Sequence, residues 1–147
     1  MSTSREGDAQ IEWLRNRAVQ VLGRMDEYRE VLRLVEAGLG DEEIMAQTGV
    51  EHRDVLSVRQ DVEQGECLWP ETPYEFGLRR LVGEISTEEM MERLRAWPYE
   101  FGVVHDDWYD SKSWDDVVRL VMLKAISEDE YDELQQIARQ SPDYPHD

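Results

Sequence analysis

Three times along the chain the sequence ends one helix and begins another within a few residues, and this restricts the fold more than any other feature. Ile85-Ser86-Thr87-Glu88-Glu89-Met90 and Ile126-Ser127-Glu128-Asp129-Glu130-Tyr131 each hold a capping box, Ser86 with Glu89 and Ser127 with Glu130. Each also holds a hydrophobic staple, Ile85 with Met90 and Ile126 with Tyr131, which sets the angle at which the chain enters the helix. Leu39-Gly40-Asp41-Glu42-Glu43-Ile44 is a weaker copy. Arg-Leu-Val precedes each copy, at Arg33-Leu34-Val35, Arg80-Leu81-Val82 and Arg119-Leu120-Val121. The pattern predicts three helix–short turn–helix units and an all-α fold. Helical hairpins share turn chemistry in any case, so it does not require a duplicated ancestor.

The remaining helices follow from apolar spacing. Asp8 is read as an N-cap, with Ile11, Leu14, Ala18, Val21, Leu22 and Met25 on one face. The stripe runs on through Tyr28, Leu32 and Val35, as one long helix or two meeting near Gly23, and Gly38 reads as the C-cap glycine. Asp41 opens a short helix that Thr48-Gly49 ends. A third helix from about Glu51 presents Val55, Val58 and Val62 and stops at Gly65. Trp69-Pro70-Glu71-Thr72-Pro73 breaks the pattern, and Thr72 with Pro73 restarts a helix through Leu78, Leu81 and Val82. Residues 1–66 are therefore read as an N-terminal helical unit and 67–147 as a C-terminal helical-hairpin unit, or the two as one compact domain. Tyr74-Glu75-Phe76-Gly77 is echoed by Tyr99-Glu100-Phe101-Gly102, each shortly after a Trp-Pro. Residues 99–113 lack helical periodicity and are read as an irregular acidic and aromatic loop, with a short strand from Phe101 to His105 as the alternative. Ser113 is read as the N-cap of the next helix, bearing Val117, Val118 and Val121. The residues from Ser141 onward read as a frayed tail.

Residues 28–60 carry a resemblance. Gly38-Leu39-Gly40-Asp41-Glu42-Glu43-Ile44, Thr48-Gly49-Val50 and Val55 resemble the trihelical helix-turn-helix of resolvases and many bacterial regulators. In that family an acidic-capped second helix, a Gly-Val turn and a buried valine in the third helix recur at this spacing. The resemblance implies that the helix from Glu51 enters the major groove, with His52, Arg53 and Arg59 contacting DNA. The charge of the segment points the other way. Glu51, Asp54, Asp61 and Glu63 crowd the same helix, whereas DNA affinity rests heavily on neutralising phosphates. The expectation is the scaffold without nucleic-acid binding.

Charge also shapes the functional reading. The chain carries 34 acidic and 16 basic residues, a net −18, a field that repels nucleic acid and anionic membranes and attracts cationic partners. Both halves are acidic, so no basic module is concealed. A single cysteine, Cys67, excludes an intramolecular disulfide and suits a reducing compartment, and without a signal-like or membrane-length apolar run the reading is cytoplasmic.

No residue set makes a catalytic centre. Cys67 has no histidine near it in sequence and reads as a structural thiol. Glu42-Glu43 and Glu88-Glu89 stand in first helical turns, where the helix dipole accounts for them. His105, Asp106, Asp107, Asp110, Asp115 and Asp116 lack the alternation and central glycine of a calcium loop. Neither an enzyme, a metal site nor a cofactor is expected.

Nine of the 13 aromatic residues fall between Trp69 and Trp114. Within that stretch Trp108 and Tyr109 are flanked by Asp106, Asp107 and Asp110, with Asp115 and Asp116 following. Aromatic anchors rimmed by carboxylates suit a binder of a basic protein surface. The expected function is a non-enzymatic acidic protein-binding module, an inhibitor of the immunity-protein or antitoxin type. The alternative is a helix-turn-helix transcriptional regulator, and a small adaptor is the third class.

Overall fold

The computed structural model describes residues 2–66 and 69–145, with side chains described from residue 7, so Cys67 lies outside the described residues. The fold is all-α. The helices among these residues are α1 (Ser2–Glu36), α2 (Asp41–Thr48), α3 (His52–Glu63), α4 (Pro73–Leu81), α5 (Thr87–Ala96), α6 (Ser113–Met122) and α7 (Glu128–Ala138). A single antiparallel pair, β1 (Val103–Val104) with β2 (Tyr109–Asp110), interrupts them. No helix among the described residues is long and apolar enough to cross a membrane.

α1 is one unbroken helix of 35 residues, which resolves the choice left open at Gly23. Asp8 lies inside it and is not its N-cap. No proline stands between Ser2 and Asp8, and one interior glycine, Gly7, costs only about 1 kcal/mol, too little to hold the start of so long a helix at Asp8.

The chain divides into two compact units, residues 20–71 and residues 1–19 with 72–147. The division follows packing rather than chain order. The first half of α1 groups with the C-terminal residues, where Leu14 and Ala18 are buried and Arg15 Nε donates to the Leu81 carbonyl at 3.3 Å.

In the unit of residues 20–71, Val31, Leu34, Val35, Ile44, Val50, Val55 and Val58 form the core. Gly49 ends α2 in the left-handed region at φ 73°, its N–H on the Met45 carbonyl at 2.9 Å. Thr48 reinforces the stop: its hydroxyl donates to the Ile44 carbonyl at 2.7 Å and accepts from the Val50 N–H at 3.2 Å.

In the other unit, α4 packs on α5 and α6, and α7 on α5 and α6. The α4–α6 contact is close because α4 offers a glycine. A Cβ on Gly77 would run into the Leu120 side chain. Glu75 is buried and pairs with Arg79 at 2.7 Å, and Arg79 also grips Glu84.

The helical hairpins repeat through backbone geometry and not through Arg-Leu-Val. Left-handed residues at Gly38, Gly83 and Lys124 close α1, α4 and α6. In each, the next N–H reaches back six residues inclusive: Leu39 to Leu34, Glu84 to Arg79, Ala125 to Leu120, at 2.9–3.1 Å. Gly38 and Lys124 follow their arginines, Arg33 and Arg119, by five positions, whereas Gly83 follows Arg80 by three. The tripeptides therefore occupy different places on their helices.

Two cap assignments need correction. Ser127 and Glu130 form the full reciprocal box, at 3.1 and 2.8 Å. Ser86 forms only half of one, accepting from the Glu89 N–H at 3.1 Å, because the Glu89 carboxylate turns to Arg93 at 3.2 Å. Ser113 is the first residue of α6, not its cap. Asp115 accepts from the Lys112 N–H at 2.8 Å, which moves the cap to Lys112. The described residues after Ser141 are also more ordered than a frayed tail. The Tyr144 ring stands edge-on to Phe101, 5.4 Å between centroids, and its hydroxyl accepts from Gln135 at 3.3 Å.

Candidate functional site

The acidic loop is a β-hairpin. After Pro98 the second Tyr-Glu-Phe-Gly runs extended where the first is helical, for local reasons. Thr72-Pro73 presets the first turn of α4, and the backbone N–H of Tyr74 finds the Asp116 carboxylate. In the second copy Trp97, ahead of Pro98, is held in the extended region at φ −68° and ψ 132°, which ends α5. The backbone of Glu100 is then clamped to the start of α6. Its N–H donates to Ser113 Oγ at 2.8 Å, and its carbonyl accepts from the Trp114 N–H at 3.0 Å. Phe101 is buried beside Trp114, and the Tyr99 hydroxyl donates to the Leu94 carbonyl at 2.6 Å. Burial, and to a lesser degree Asp116, pushes the Tyr99 phenol well above its usual range.

From this anchored base the hairpin rises with Val103 opposite Asp110 and Val104 opposite Tyr109. The His105 N–H donates to the Trp108 carbonyl at 2.8 Å, leaving Asp106 and Asp107 at the turn. The Trp108 indole is 58 % exposed, and the His105 ring stacks on it at 4.3 Å and 17°. Val103, Val104 and Tyr109 are exposed as well. Large apolar groups thus stand in solvent at the same tip as the carboxylates.

The seven residues singled out in the sequence divide into two sets. Asp106 and Asp107 are exposed, and their side chains make no hydrogen bond or ion pair among the described residues. With Trp108 they form the free tip. Tyr109 donates its hydroxyl to both oxygens of Asp115, at 2.9 and 3.1 Å, and that hydrogen bond raises the phenol above its ordinary value. The Tyr109 side chain also lies across Gly102, where a Cβ would collide with its hydroxyl. Asp110 pairs with Lys112 Nζ at 3.2 Å. Asp115 caps α6. Asp116, in the first turn of α6, is half-buried against the start of α4, and burial raises its carboxyl, partly offset by the Tyr74 N–H and Arg119. Asp115 and Asp116 therefore hold the frame, while Asp106, Asp107 and Trp108 face outward.

The three basic residues considered for DNA contact lie in the other unit, each beside a carboxylate. Arg59 donates to Asp41 at 2.8 Å and to the Leu39 carbonyl at 3.0 Å. His52 Nε2 lies 3.3 Å from the second Asp41 oxygen. These contacts, that of Arg59 foremost, hold the Asp41 carboxyl below its usual range. Arg53, largely exposed, pairs with Glu51 at 3.1 Å. Among the described residues no group of three or more histidine, cysteine or acidic side chains could hold a metal ion.

Sequence reasoning missed the His105 stack on Trp108 and the exposed valines of β1. The first needs the turn, which brings positions 105 and 108 together, and the second needs the strand register. When the chain is compared with protein family models, with curated proteins and with solved structures, none of them matches it.

Proposed function

We propose that the chain is a non-enzymatic, acidic protein-binding module of the cytoplasm, an inhibitor of the immunity-protein or antitoxin type that masks a basic partner such as a nuclease. One observation carries the reading: an exposed indole, braced by a stacked imidazole and flanked by two unpaired aspartates, at the tip of a hairpin whose base is hydrogen-bonded to a helix start. An exposed aromatic anchor supplies desolvated area when a partner covers it. The aspartates and the net charge of −18 speed the encounter with a basic surface. Bracing at the base lowers the ordering cost of binding.

The test is an affinity capture with the whole chain, run beside the Trp108→Ala and Asp106→Asn/Asp107→Asn variants, with captured proteins identified by mass spectrometry. The proposal requires a basic protein held by the wild type, lost from Trp108→Ala and captured more weakly at low salt by Asp106→Asn/Asp107→Asn. A partner retained equally by all three, or an acidic one, would remove the tip from the function. The regulator reading rests on the arrangement of α2, the Gly49 turn and α3. It is less well supported, because His52, Arg53 and Arg59 stand beside carboxylates.

A further inference from the structure

The unit of residues 20–71 holds a groove of about 390 Å³ that the hairpin reading does not use. Its size falls within the range of small-ligand sites, roughly 300–1,000 Å³. The floor is apolar: Val31, Val50 and Val58, all buried core residues, show one edge to it. The walls are aromatic, Trp69 and Tyr28, and each residue is tethered at one point. The Trp69 backbone is held by Arg29, whose Nε and Nη2 both donate to its carbonyl at 3.3 and 3.1 Å. Tyr28 is held through its hydroxyl, which donates to Asp61 at 2.9 Å.

The rim carries Glu27, Asp54 and Arg24, all exposed, and none of these side chains has a hydrogen bond or ion pair among the described residues. Two carboxylates against one guanidinium leave the rim at −1. We infer that this groove binds a small amphipathic monocation, a primary ammonium carried on an aromatic or branched apolar body. The body lies on the valine floor. The ammonium sits at the rim, where Glu27 and Asp54 accept its hydrogen bonds and the faces of Trp69 and Tyr28 favour a positive charge. Arg24 matches the occupant to a single positive charge, since a second would face the guanidinium.

The site can be probed in the whole chain with 2-phenylethylamine, followed by nuclear magnetic resonance at the Trp69 indole N–H and the Val31, Val50 and Val58 methyl groups. Phenylacetate and 2-phenylethanol serve as the anionic and neutral comparators. The amine is expected to shift these signals saturably, and phenylacetate to leave them unmoved. The Glu27→Gln/Asp54→Asn variant changes only exposed residues and should weaken amine binding about tenfold, as loss of a charge-assisted hydrogen bond does. No saturable shift with the amine would overturn the inference. So would equal binding of 2-phenylethanol, or an unchanged affinity in the double variant.

Discussion

Arg80 and Glu130, fifty positions apart, are joined by two parallel hydrogen bonds of 3.0 Å each. The same guanidinium donates to the Ala125 carbonyl at 2.7 Å and to Thr87 Oγ1 at 3.1 Å. Glu130 meanwhile completes the cap of α7. One ion pair thus ties the end of α4, the start of α5, the α6–α7 turn and the start of α7. Neither side chain is fully exposed, at 23 % for Arg80 and 16 % for Glu130, so solvent screens the pair only partly.

Partial burial pushes the Glu130 carboxyl up, but the bonds from Arg80 and Ser127 outweigh it, and the net shift is downward. A depressed carboxyl stabilises the fold above the ordinary glutamate pKa, and that stabilisation is lost as pH falls through the folded value. Glu130→Gln should therefore cost about 2 kcal/mol at neutral pH. The gap from wild type should close below about pH 4. Urea unfolding across a pH series measures both, and a gap constant down to acid pH would show that the charge of Glu130 is immaterial.

Lys124 adopts the left-handed conformation at φ 63°, where the equivalent residues of the other two helical hairpins are glycines. A left-handed conformation costs a residue with a Cβ about 1–2 kcal/mol. Lys124→Gly should raise stability by about 1 kcal/mol, and Gly83→Ala, at φ 85°, should lower it by a similar amount. Thermal melts of the two variants should move in opposite directions.

These turns show why part of the fold was legible. Helix starts are local chemistry: a serine hydroxyl, an N–H three residues on, an acid to return the bond. Ser86 and Ser127 accordingly cap α5 and α7 where the sequence placed them. Helix ends repeat through a positive φ, which a glycine signals at Gly38 and Gly83 but a lysine does not at Lys124, so the sequence carries no mark that matches Lys124 to Gly83. At the candidate site, charge and aromatics marked the right segment. Sorting Asp115 and Asp116 from Asp106 and Asp107 depends on the partners Lys112 and Tyr74, and hence on how α4 and α6 meet. The Asp41 pairings with His52 and Arg59 needed the approach of α2 to α3 for the same reason.

Trp108 separates a surface role from a core role. At 58 % exposure its truncation should leave the melting temperature within about 2 °C of wild type, as surface substitutions do. A buried ring would cost about 3–5 kcal/mol instead. Differential scanning calorimetry of Trp108→Ala reads the difference, and a loss of that size would place the indole in the core.

Steering of a basic partner to the hairpin tip by Asp106 and Asp107 is read from association kinetics against the captured partner over a range of salt. For Asp106→Asn/Asp107→Asn the association rate constant should fall about tenfold at low salt, while dissociation stays close to wild type. The difference should shrink as ionic strength rises and screens the steering. Equal association rates for wild type and variant at low salt, with the same dependence on salt, would contradict the claim.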